Sequence, residues 1–160
     1  MLERIENVNE QVIKKMFLVY AESMADMEGE FKNRDEMEAS YAAFLKEFIE
    51  NPKQIVFVET AEKQWVCGLR AVESEPGKWF LEAVETMPGQ RNRGYGKKLI
   101  RYVTEFLKGI GAKKIDCIIG KSNLSSIKMH SDCGFKETKE LPVNCWGELE
   151  EGRILFRLEI

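Results

Sequence analysis

With 160 residues, 44% apolar and 32% charged content, the chain has the material for one compact domain, 1–160, with its own core. No apolar run approaches the roughly 18 residues of a membrane span, and Met1-Leu2-Glu3-Arg4 opens no signal peptide, so the expected location is cytoplasmic, away from membranes. The net charge of −3, with basic residues gathered only at one glycine-rich segment, argues against nucleic acid, while one histidine and four cysteines without C-x-x-C spacing (Cys67, Cys117, Cys133, Cys145) argue for reduced thiols and no metal site.

In chain order, Leu2 to Ile5 reads as a short strand, and Asn7 or Asn9 then caps a helix carrying Val12, Ile13, Met16, Phe17 and Tyr20 at helical spacing to about Met24. The acidic, Met-rich stretch after it, with Glu22, Asp26, Glu28 and Glu30 around Gly29, reads as a solvated connection. A second helix is expected from Asp35, with Glu38 completing a capping box, and Asn51-Pro52 stops it. The period then changes to two: 55–60, 65–74 and 79–86 are three strands joined by short polar turns, which is an antiparallel meander. A helix follows with Leu99, Ile100, Val103, Phe106, Leu107 and Ile110 on one face, closed by Gly109 and Gly111. The run 114–119 is a central strand, Ser122 or Asn123 caps a short helix to about Asp132, and Cys133-Gly134-Phe135 turns into another strand. The tail from Arg153 to Ile160 alternates as a closing strand.

Between the meander and the third helix lies Gln90-Arg-Asn-Arg-Gly-Tyr-Gly-Lys-Lys98. Gly94 and Gly96 let backbone N–H groups approach a ligand closely, and the helix that starts there offers unpaired donors to an anion. Arg91, Arg93, Lys97 and Lys98 add cations, so the expected ligand carries phosphate. Against an NTPase loop, Tyr95 stands where the phosphate-gripping Lys belongs, and against a dinucleotide fingerprint, position 99 is Leu.

The remaining pattern, R/Q-x-x-G-x-G/A, is met by Arg91, Gly94 and Gly96, with Pro88 three residues upstream. Downstream, Asn123, Gly134 and Phe135 match a second element, Asn followed by Tyr and then Gly-Phe, except that His130 occupies the Tyr position. On these residues and the order of elements, the whole chain resembles the GNAT superfamily of acyl-CoA-dependent N-acyltransferases. The resemblance implies an α/β (α+β) fold with a mostly antiparallel mixed sheet of about seven strands and about four helices. It also implies acetyl-CoA as cosubstrate, direct transfer to a small-molecule amine, and a homodimer as a compatible assembly. Val84, Glu85 and Thr86 would contact the pantetheine arm and thioester, and Arg91, Asn92, Arg93, Gly94, Tyr95, Gly96 and Lys97 would hold the pyrophosphate. Asn123 would reach the pantetheine, or simply cap its helix. His130 stands where the family's proton donor stands, with packing against the cofactor as its other reading.

For the base, Glu82 and Glu85 lie on the strand that carries the thioester. An uninterrupted period of two puts Glu82, the first choice, on one face with Phe80, Val84 and Thr86, where apolar neighbours would raise its pKa. A water chain without a single base is the other reading. The carboxylates of the Met-rich stretch would line or rim the acceptor entrance and favour a cationic small molecule such as a polyamine, an amino sugar or an amino-acid-like amine. A cradle that kept the cofactor and lost the chemistry, serving as a binding or regulatory domain, is the alternative function.

Overall fold

The computed structural model describes every residue from Met1 to Ile160. Seven strands form one sheet: β1 (Leu2–Arg4), β2 (Gln54–Ala61), β3 (Gln64–Glu75), β4 (Lys78–Thr86), β5 (Lys114–Gly120), β6 (Lys136–Glu137) and β7 (Arg153–Glu159), in the order β1-β2-β3-β4-β5-β7-β6. All neighbours run antiparallel except β4 and β5. The helices are α1 (Glu10–Val19), α2 (Ala21–Met27), α3 (Arg34–Glu50), α4 (Tyr95–Gly109) and α5 (Leu124–Asp132), with a 3-10 turn at Glu28–Glu30. No helix is long and apolar enough to cross a membrane.

The two faces of the sheet bury separate cores. Leu99, Ile100, Val103 and Leu107 of α4 are fully buried against β2–β5 together with residues of α5. Ile13, Met16, Phe17, Met37, Leu45 and Phe48 of α1 and α3 cover the other face over Val56, Val58 and Val72. Full burial of one such side chain contributes about 1.5–3 kcal/mol, which is why the 3.6-residue stripes located these helices.

Three expectations change. The first helix does not continue to Met24: it breaks at Tyr20 (φ −97°, ψ 27°), and α2 with its 3-10 turn replaces the expected connection. The capping of the second expected helix sits two residues earlier, because the Asn33 side chain accepts from the Glu36 N–H at 2.9 Å and the Glu36 carboxylate accepts from the Lys32 N–H at 2.8 Å. The period of two in β4 is also interrupted. Glu82 pairs with Arg70 and Glu85 with Gly68, so Ala83 and Val84 together oppose Leu69, and Ala83 takes φ 52°.

That bulge divides β4 in function. Cross-strand partners share a face, so Glu82 and Glu85 project toward α1–α3. Thr86, opposite Cys67, projects toward α4, and Val84 packs with the α4 core. Glu82 therefore does not share a face with Val84 and Thr86. The bulge also ends the pairing with β5, whose register stops at Phe80 opposite Asp116, so the edge from Leu81 to Thr86 has no strand partner on that side. Tyr20 holds the distortion in place. Its hydroxyl donates to the Ala83 carbonyl at 2.8 Å, and its ring lies over Gly68, where an added Cβ would come within 2.8 Å of that hydroxyl.

Tyr20→Phe should cost about 1 kcal/mol, seen as a fall in Tm of about 2–4 °C. Gly68→Ala, which must push the ring off the sheet, should cost more. A Tyr20→Phe protein as stable as wild type in a thermal melt would mean that the bulge does not need this hydrogen bond.

Candidate functional site

Where β4 and β5 part, a cleft of about 770 Å³ opens between β4, the glycine loop and α5. The loop is built to present donors. Gly89, Asn92 and Gly94 adopt φ of 86°, 63° and 81°, the left-handed conformation from which anion-binding backbone concavities are built. The helix α4 begins at Gly94 with no side-chain cap. The N–H groups of Arg91 through Lys97 donate to no backbone carbonyl. A helix start without partners for its first donors is an anion site waiting for acceptor oxygens. Gly96 serves a different end: a Cβ there would sit 2.6 Å from the Met129 sulfur, so glycine lets α5 pack against the first turn of α4.

Most residues expected at the site are assembled here. Val84, Glu85 and Thr86 form one wall, Arg91, Asn92, Gly94, Tyr95, Gly96 and Lys97 the floor, and Asn123 the far side. Arg93 is exposed and does not line the cleft. Asn123 also fulfils its capping role, its side chain accepting from the Ser126 N–H at 3.1 Å. Gln90, Ser125, Ser126, Lys128, Met129 and Asp132 line the cleft without having been expected there, and Glu22, expected at the acceptor entrance, lines it as well. The two serines lie two and three residues after Asn123 and could have been found from that helix start. Glu22 and Asp132 are brought in by tertiary packing alone.

The cations of the cradle are already engaged. Arg91 pairs with Glu22 and donates from Nε to the Thr86 carbonyl at 3.3 Å. Lys97 and Lys128 both contact Asp132, at 2.7 and 3.1 Å. Their hydrogen bonds hold the Asp132 carboxyl below its ordinary pKa, Lys97 contributing most. An incoming phosphate must share these cations with Glu22 and Asp132.

The two candidate bases differ. Glu82 accepts from Arg70 Nε at 2.9 Å and does not line the cleft, so it is an ion-pair partner rather than a carboxylate among apolar side chains. Glu85 lines the cleft, accepts from Ser23 Oγ at 2.9 Å, and leaves Oε2 buried without a partner. Burial pushes its pKa up, opposed by the Ser23 hydrogen bonds, and the nearby Glu22 pushes it up further.

His130 is 3% exposed and is not among the residues lining the cleft. Its Nδ1 lies 2.8 Å from the Ser126 carbonyl, which requires an N–H at Nδ1. Its ring packs edge-on against Phe135 at 5.5 Å, and Nε2 is buried without a partner. Burial lowers its pKa, partly offset by the Ser126 bond. In the neutral ring that this bond selects, Nε2 carries no proton. The nearby Cys133 is not an activated thiol: burial raises its pKa and it donates to the Lys97 carbonyl at 3.6 Å.

The sequence profile of the acetyltransferase (GNAT) family matches residues 20–135. No curated protein matches the chain. Among solved structures, the chain is similar to a Bacillus subtilis acetyltransferase in complex with CoA, at 15% identity and TM-score 0.67, covering 99% of this chain and 97% of that one. It is similar to a ribosomal-protein-alanine N-acetyltransferase from Brucella melitensis, at 16% identity and TM-score 0.74, covering 100% and 99%. It is also similar to the PaiA N-acetyltransferase from Thermoplasma acidophilum in complex with coenzyme A, at 12% identity and TM-score 0.73, covering 100% and 99%. At such identities the likeness establishes the shared fold.

Because Asp132 occupies two of the cradle's lysines, Asp132→Asn should strengthen binding of inorganic pyrophosphate, by about two- to fivefold at low salt, with the gain shrinking as ionic strength rises. Calorimetric titration at two salt concentrations checks this. Unchanged or weaker binding would show that Lys97 and Lys128 do not face the anion.

Proposed function

This chain belongs to the acetyltransferase (GNAT) family, and on that premise we propose that it transfers the acetyl group of acetyl-CoA directly to a primary amine of a small molecule that arrives as an ammonium cation. The observation that carries the reading is the join of two features at one cleft: seven consecutive N–H groups, from Arg91 through Lys97, without backbone acceptors, and a β4 edge without a strand partner that ends at Glu85. The first suits a pyrophosphate. The second suits the amide-bearing arm and thioester carbonyl that acyl transfer requires. Two of the solved relatives hold coenzyme A.

Within that frame each side chain has a task. Glu85 takes a proton from the ammonium, because its carboxylate lines the cleft with one oxygen free and a raised pKa. The neutral nitrogen then forms the C–N bond as the C–S bond breaks, and the proton it sheds on becoming an amide balances the thiolate. No dedicated acid is required by that balance, and His130 acts as packing beneath α5. Asp26, Glu28 and Glu30 are exposed on α2 and its 3-10 turn and impart negative potential to the approach without lining the cleft, whereas Glu22 lines it, paired with Arg91.

Release of thiol from acetyl-CoA in the presence of a panel of primary amines tests the reaction. No release with any amine, despite a thermal shift on adding acetyl-CoA, would favour a binding domain over an enzyme. Since the raised carboxyl must lose its proton before it can act, kcat/KM should rise with pH through a limb above the ordinary carboxylate range. Glu85→Gln should lower turnover by about 10²-fold and leave only the limb set by the amine. A mutant retaining the lower limb would assign it elsewhere.

His130→Phe keeps the ring and removes both nitrogens. Turnover within about threefold of wild type is expected, whereas a loss of about 10²-fold recovered by His130→Tyr would restore the proton-donor role to this position.

A further inference from the structure

We infer that the acceptor is amino-acid-like: a primary amine on an apolar body, with a carboxylate bound by Arg70. The inference rests on the acyl-transfer reading above and deepens it. A second cavity, of about 410 Å³, lies between α2, the 3-10 turn, α3 and the bulge of β4. It shares no lining residue with the cleft but adjoins it at two points. Ser23 lines the cavity and donates to Glu85, which lines the cleft, and Ala83, which also lines the cavity, is the bulged residue between Glu82 and Val84. A molecule seated there has one end at Ser23, the side chain hydrogen-bonded to the proposed base.

The walls select the body of that molecule. Met24, Met27, Phe31, Met37, Tyr41 and Phe44 make most of the lining, an aromatic and thioether surface that adapts to an apolar group. Tyr20 and Tyr41 remain neutral phenols, since burial pushes Tyr41 up to about 12 and Tyr20 well above its usual value, with the Arg70 charge opposing in both. The carboxylates of Asp26, Glu28 and Glu30 lie outside the lining.

Arg70 is the only charged side chain that lines the cavity. Its guanidinium is held on three sides: over the Phe44 ring at 5.0 Å, beside the Phe48 ring at 5.7 Å, and through Nε to Glu82 at 2.9 Å. Nε is the only guanidinium nitrogen with a protein acceptor, so both Nη groups remain available. Glu82 offsets part of the charge without lining the cavity, and the fork that matches a carboxylate is left free and positioned. Arg70 is two residues along β3 from Gly68, the partner of Glu85, on the same face, or about 6.6 Å along the strand. That separation suits a molecule whose ammonium meets one group while its carboxylate meets the other. A polyamine would set a second cation against Arg70 and be disfavoured.

The test follows thiol release with L-phenylalanine, L-phenylalaninamide, phenethylamine and spermidine, in wild type and in Arg70→Met combined with Glu82→Gln, which removes the ion pair as a unit. Taking the ratio of acid to amide within each protein, and comparing that ratio between proteins, cancels amine basicity and any general loss of turnover. The ratio should fall by about tenfold in the double variant, while the thermal shift on adding acetyl-CoA, which reports the cradle, stays as in wild type. An unchanged ratio, or a wild-type preference for spermidine over L-phenylalanine, overturns the inference. If no acceptor releases thiol, the acyl-transfer reading fails by itself. Calorimetric binding of L-phenylalanine to the protein loaded with coenzyme A then decides: loss of binding by tenfold or more in the variant supports the carboxylate site, and equal or absent binding in wild type and variant overturns it.

Discussion

The hydrogen bond from the Tyr20 hydroxyl to the Ala83 carbonyl is the contact on which the rest of the site depends. A residue at φ 52° with a β-carbon is held against its own preference, and a carbonyl turned out of the ladder needs a donor. Tyr20 supplies it, and can do so only because position 68 is glycine and because the chain breaks helical geometry at Tyr20 between α1 and α2. One interaction thus ties the first two helices to the middle strand, stops β4 from following β5, and sets Val84 and Glu85 on opposite faces.

The consequence is a division of labour across β4. On the α4 side, an uncapped helix start and the peptide groups of the glycine loop offer donors that no protein group uses. Glu22 and Asp132 meanwhile keep the nearby Arg91, Lys97 and Lys128 neutralised. Without those carboxylates the cradle would collect cations around unbonded N–H groups, which is unfavourable until an anion arrives. On the α1–α3 side, Glu85 keeps one carboxylate oxygen buried and unpaired beside a largely apolar cavity. The two sides adjoin at the bulge, between Glu82 and Glu85.

His130 shows how position and chemistry separate. The residue falls where the resemblance expects a donor, yet an imidazole is shorter than a phenol, and its Nδ1–H satisfies the Ser126 carbonyl within its own helix. Burial then favours the neutral ring. The ring packs edge-on against Phe135 from the buried face of α5.

Much of this was determined by the sequence itself. The apolar stripes of α3 and α4, the alternation of β2 and β3, the Asn123 cap and the glycine spacing are local rules, in which a residue's conformation and burial follow from neighbours within one or two turns. They fixed the order of elements and the cradle. What lay beyond them was set by contacts between residues far apart in the chain. The break at Tyr20 comes from its bond to residue 83, the bulge from register against β3, and the pairing of Arg91 with Glu22 from the docking of α2. Glu82 and Glu85 could not be told apart by periodicity, because one extra residue in a strand exchanges its faces. Arg70 reads in sequence as an ordinary strand cation, and only the approach of Phe44, Phe48 and Glu82 places its guanidinium in a cavity wall.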